Sequence, residues 1–160
     1  MTVAAQLNAI CDAQPFVTRF MVRNLLSGEE IGRGENEETP SGSTRKTSIM
    51  MAVLKAASEG RLDLDQPVTY EKRLAEEVAS GMFRYLTPGI VISLRDALAG
   101  MMVLSDNVCT KMVLERLTLE EVDSYCKTLG MANTHHRFLI PPLALAADHP
   151  LKTVTTTSAA

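Results

Sequence analysis

No run in this sequence approaches the ~20 consecutive apolar residues that span a bilayer, so no membrane-crossing helix is expected. The start, MTVAAQLNAICDAQPF, carries no Lys or Arg ahead of its apolar positions and does not resemble a secretory signal. A cytoplasmic protein, and an exported one whose leader lies elsewhere, would share that feature. Cysteine is scarce: Cys11, Cys109 and Cys126 are an odd set without CxxC spacing, so neither a disulfide framework nor a zinc site is indicated. Reduced, structural thiols are the ordinary reading, and no metal or cofactor is expected. The 16 Lys and Arg are scattered among 19 Asp and Glu, for a net charge of −3, which leaves no basic face for nucleic acid. Internal repeats and low-complexity segments are also missing. What remains is ordinary globular composition, 160 residues with 46% apolar and 22% charged, enough for one domain with a sizeable core.

Local patterns give a coarse organisation. Phe16 to Leu25 is rich in β-branched and aromatic residues, and a Ser27-Gly28 turn separates it from Glu30 to Gly34, which reads as a hairpin. The polar loop GENEETPSGS runs into TRKTSIMMAVLKAASEG, where Ile49, Met50, Val53, Leu54 and Ala57 recur at helical spacing and Gly60 supplies the stop. RLDLDQPVTY reads as a loop with a short extended piece, and Lys72 to Ser80 as a weak helix. Ser93 with Asp96, and Thr118 with Glu121, are capping boxes that introduce LRDALAGMMVL and LEEVDSYCKTLG, with NVCTKMVLERL a helix between them. The expected fold class is α+β, with a hairpin part over about residues 1–36 and a mainly helical region over about residues 37–160.

Two short motifs carry chemistry. Ser43-Thr44-Arg45-Lys46 sets a hydroxyl and an amine three residues apart at a helix start, on one face, so the two side chains can meet. A serine hydroxyl becomes nucleophilic when a neighbouring base takes its proton, and a lysine of lowered pKa can be that base. First-turn N–H groups add a positive field for an anionic intermediate. The spacing alone is weak, arising by chance in roughly one chain of this length in two. A capping serine and a solvated lysine would produce the same pattern. Ser105-Asp106-Asn107, between two helices, is rarer, about one chain in forty. Its bland reading is again a helix cap.

Taken together and in this order, SxxK followed by SDN resembles the penicillin-binding proteins and class A β-lactamases, whose third motif is KTG. The surroundings agree: Lys46 through AVLKAASEGRLDLDQPVTY is similar to the family's nucleophile helix and following loop, and LRDALAGMMVLSDNVCTKMVLERL to its SDN loop between helices. NLLSGEEIGRGENEE is similar to its first two strands. The resemblance implies a β-lactamase/transpeptidase-like fold and a substrate that is a β-lactam or a D-Ala-D-Ala-like amide. Ser43 would be acylated with Lys46 assisting, Ser105 would relay a proton to the leaving nitrogen, and Asn107 would bind the substrate amide and Lys46. Asp106 would hold the loop, and one oxyanion donor would be the Ser43 N–H.

The sequence departs from the family twice. His136-Arg137-Phe138-Leu139 follows the class A Arg-aromatic-Glu run until the carboxylate is due, and Leu139 cannot polarise a water. His135 and His136 are the replacement bases on offer, though adjacent loop histidines are ordinarily solvated. No KTG follows SDN; Lys152-Thr153-Val154 lacks the glycine, and Thr155 to Ala160 is similar to the Thr-rich cap of the family's next helix. The expectation is therefore a fragment, a processed chain or one half of a two-chain protein. A C-terminal half or second chain would supply the KTG strand, the rest of the sheet and the second oxyanion donor. Three alternatives stand beside a lactam-hydrolysing enzyme: a slowly deacylating penicillin-binding carboxypeptidase or esterase relative, a degenerate non-catalytic relative, and an unrelated helical interaction module.

Overall fold

The computed structural model describes residues 1–141, residue 143 and the backbone pairing of residues 154 and 155. Lys152, Thr153 and Thr156 to Ala160, which bear on the sequence reading above, lie outside the described residues. Among the described residues no helix is long and apolar enough to cross a membrane.

Helix α1, Val3–Asp12, opens the chain behind Thr2, whose hydroxyl accepts from the Ala5 N–H. This helix is absent from the sequence expectations, although Val3, Leu7 and Ile10 stand at helical spacing. Strands β1, Phe20–Arg23, and β2, Glu30–Arg33, pair antiparallel with Val22 opposite Ile31. β1 is shorter than the Phe16–Leu25 run because Asn24 begins the turn. Its side-chain oxygen accepts from the N–H groups of Leu26 and Ser27, and Gly28 takes the left-handed φ of +75° that the turn requires. A second two-stranded pair joins β3, Thr39–Pro40, to the later segment Val154–Thr155.

The hydrophobic core lies in the helices that follow. α2, Arg45–Ser58, buries Ile49, Val53 and Ala56, while a ribbon of β4, Pro67–Thr69, and β5, Val91–Ser93, inserts Val68. The expected weak helix over Lys72–Ser80 is a single 3-10 turn, Lys72–Ala75, because Glu76 is extended and Glu77 turns to a φ of +56°. Ser93 caps α3, Leu94–Val103, and Thr118 with Glu121 closes a reciprocal capping box on α5, Leu119–Thr128. Between them lies α4, Asn107–Leu114. α3 and α4 approach so closely at Gly100 that an added Cβ would stand 2.8 Å from the Cys109 sulfur. Each fully buried side chain here, Leu94, Met101, Val108, Met112 and Val122 among them, contributes roughly 1.5–3 kcal/mol. No residue of α1 or the first hairpin belongs to this core. The whole is an α+β fold, rich in helix, with small sheets at its margin.

Candidate active site

A 3-10 turn, Gly42–Thr44, leads into α2 and carries Ser43 at its exposed tip. Gly42 makes the turn at a φ of +52°. The hydroxyl of Ser43 does not cap the helix; it is turned towards Lys46, one turn on, and Ser105. Lys46 is not solvated either, being 3% exposed. Its Nζ donates to the Ser105 carbonyl at 2.7 Å, Asn107 Oδ1 at 2.8 Å and Ser105 Oγ at 2.9 Å, with Ser43 Oγ at 3.4 Å. Ser105 Oγ lies 2.8 Å from Ser43 Oγ. The four residues singled out in the sequence therefore meet around one amine.

The loop between α3 and α4 makes this possible by dividing its work. Asp106, fully buried, is the cap: Oδ1 accepts from the N–H groups of Val108 and Cys109, and Oδ2 from that of Phe83. Gly81 leaves room for that carboxylate, since a Cβ there would stand 2.5 Å from Asp106 Oδ1. Ser105 is held at a φ of +53°, which aims both its carbonyl and its hydroxyl at Lys46. Asn107 is fixed by its backbone N–H to the Ser80 carbonyl and its amide nitrogen to Ser80 Oγ, so its oxygen faces the amine.

Burial lowers the Lys46 pKa to about 8, with the neighbouring charge of Arg45 assisting and Asp106 opposing. The hydrogen bonds accommodate either form, since the three donors of an ammonium match the Ser105 carbonyl, Asn107 Oδ1 and Ser105 Oγ. A neutral amine has two N–H donors and one lone pair; the carbonyls of Ser105 and Asn107 take the donors and leave the lone pair to a hydroxyl. Burial pushes the Cys109 thiol up to about 12 and raises that of Cys126, so both are inert core thiols.

Arg45 was not singled out in the sequence. It is 4% exposed, and its guanidinium donates to the carbonyls of Phe138, at 2.7 Å, and Leu139. His136 also differs from the expectation of a solvated histidine. It is buried, with Nδ1 2.6 Å from Asp123 Oδ1 and Nε2 3.0 Å from Ser48 Oγ, and burial lowers its pKa against the pull of Asp123. Both ring nitrogens are thus engaged in holding the loop on α2 and α5. His135 lies at the surface, 3.9 Å from Glu38. A cleft of about 440 Å³ opens over Ser43 and Lys46, bounded by Pro40, Ala79, Asn107 and Ile140. Among the described residues no cluster of three His, Cys, Asp or Glu side chains is placed to hold a metal.

Comparison with known proteins places the fold and the family. The chain is 36% identical over 90 residues to an imipenem-hydrolyzing β-lactamase of Enterobacter cloacae, a stretch covering 56% of this chain and 30% of that enzyme. Among solved structures it is similar to PBP-A, at 27% identity and a TM-score of 0.80, covering 96% of this chain and 56% of that one. A leucine-to-glutamate mutant of PBP-A, an acyl-enzyme complex with penicillin G, superposes equally well at 26% identity. A β-lactamase from Sphaerobacter thermophilus, at 20% identity and a TM-score of 0.83, shares the fold. The chain spans little more than half the length of these solved relatives. The profile of the beta-lactamase enzyme family matches residues 2–160, and the chain belongs to that family.

Proposed function

We propose that this protein is a serine acyl-transfer hydrolase of β-lactams, with Ser43 as nucleophile. The carrying observation is the position of Ser105 Oγ, 2.8 Å from Ser43 Oγ and 2.9 Å from Lys46 Nζ, a shorter proton path than the direct 3.4 Å from serine to amine. In this reading neutral Lys46 accepts the Ser43 proton, directly or through Ser105, as Oγ attacks the lactam carbonyl carbon. The tetrahedral oxyanion is received by the Ser43 N–H at the head of α2 and a second donor from outside these 160 residues. The C–N bond then breaks, and Ser105 passes a proton to the nitrogen and recovers one from Lys46. Asn107, one amide N–H of which bonds Ser80, offers the other to the substrate's side-chain amide. A C-terminal half supplies the KTG wall of the cleft.

Ser43→Ala in the protein so completed is expected to abolish labelling by a fluorescent penicillin and to leave the melting temperature within a few degrees, since the hydroxyl is exposed. Labelling of the alanine variant at the parent rate would end the assignment.

A slowly deacylating, penicillin-binding version of this chemistry is favoured by one observation. The loop from Ala132 to Pro141 contains no carboxylate, and its histidine nearest to Leu139, His136, has both nitrogens occupied.

A further inference from the structure

The first turn of α2 presents two successive cations, Arg45 and Lys46, both almost fully buried. Like charges in the interior repel, and a guanidinium is tolerated there when its donors are satisfied. Two of the Arg45 donors are taken by the carbonyls of Phe138 and Leu139. Yet the loop is already anchored without a cation. One turn further along α2, Ser48 bonds His136, and Asp123 on α5 bonds the same ring and its backbone N–H. Arg45 is the additional tether, and among the described residues it is the permanent positive charge that acts on the reactive amine.

We propose that Arg45 is a positioning residue for acyl transfer, its fixed guanidinium holding Lys46 ready to accept the Ser43 proton and linking that readiness to the seating of the loop that bears Leu139. This rests on the acyl-transfer reading above. Among the described residues the charged and titratable groups facing Lys46 are Arg45 on its own helix and, from the head of α4, Asp106 and Cys109; Ser43, Ser105 and Asn107 complete a neutral ring. Asp106 favours the ammonium, but its carboxylate is engaged by three backbone N–H groups. Arg45 acts in the opposite sense. Its own pKa, lowered by burial to about 10, keeps it charged at neutral pH.

The test is the pH dependence of acylation by a fluorescent penicillin, in the chain joined to its C-terminal half. In the parent, the rate rises as pH passes the Lys46 value near 8. Arg45→Gln keeps an amide donor for the loop but no charge; its midpoint is expected to move up by about one pH unit, about a tenfold loss of rate at neutral pH. Arg45→Lys keeps a cation only while its buried amine stays protonated, and its midpoint is expected between those of the parent and of Arg45→Gln. A glutamine variant with the parent midpoint, or a lysine variant displaced as far as the glutamine one, overturns the proposal. So does loss of the folded circular-dichroism signal in Arg45→Gln, which would make Arg45 a structural tether. If the parent itself is never labelled, the acyl-transfer reading fails. The Lys46 side-chain titration, followed by nuclear magnetic resonance in the same variants, then decides the Arg45 proposal by the same comparison of midpoints.

Discussion

Ser105 occupies the left-handed region, at a φ of +53°, where a residue with a Cβ is strained by roughly 1–2 kcal/mol. Nothing local demands serine there: the cap that orders the loop belongs to Asp106, and glycine would adopt the conformation without strain. The strain is retained together with the hydroxyl that touches both Ser43 and Lys46. Ser105→Gly is therefore expected to separate stability from activity. Urea unfolding should give a free energy unchanged or higher by up to about 1 kcal/mol, the relief of strain being offset in part by a more flexible unfolded chain. Acylation should fall by roughly 10²-fold or more, as for loss of a proton-transfer group. A glycine variant that loses stability while acylating at the parent rate would show the hydroxyl to be structural. The identities of these residues were legible in the sequence, and the family resemblance implied their division of labour, with Asp106 expected to hold the loop; the tripeptide taken by itself did not reveal it. Ser, Asp and Asn are all good caps, and in the folded loop Asp106 takes the cap while its neighbours face the cleft.

The elements that the sequence announced are those whose signals are local. The caps at Ser93 and Thr118 and the turn glycines lie within four residues of what they control and are found where the pattern placed them, Thr118–Glu121 as a full box and Ser93 through its hydroxyl cap. Failures occur where a distant partner decides. Arg45 is buried because two carbonyls more than ninety residues away receive it, and His136 because α2 and α5 meet around its ring. The segment Lys72 to Ser80, with apolar residues but no cap on Glu71, forms one turn and then follows the packing of its surroundings. On the proposed mechanism, the loop ending at Leu139 bears on turnover. General-base assistance contributes roughly 10²- to 10⁴-fold to a rate, and Leu139, 39% exposed, offers none. Rapid-mixing kinetics with a chromogenic penicillin should show a burst of about one equivalent followed by slow hydrolysis, with Leu139→Glu accelerating only the slow phase. Fast steady-state hydrolysis without a burst in the parent would show that some other group serves deacylation.

At the scale of the whole molecule, the core sits among α2 to α5 while α1 and the first hairpin stand outside it. Leu25 and Leu26 project from the hairpin tip at 90% and 100% exposure, and Val22 is half exposed. A two-stranded hairpin is marginal in water, so strands from a C-terminal half should stabilise this part directly. Scanning calorimetry of the 160-residue chain and of the same chain with that half added is expected to show a higher melting temperature for the latter. A cooperative, high-melting transition of the 160 residues alone would refute this. One further link acts over the same distance. The short ladder of Thr39 and Pro40 with Thr155 and Val154 fastens the strand just ahead of Ser43 to the far end of the chain. Among the described residues this pairing is what joins the strand entering the helical body to the far end of the chain. Tension on β3 passes along the backbone through residues 41 and 42, so the turn that carries Ser43 is coupled to this ladder.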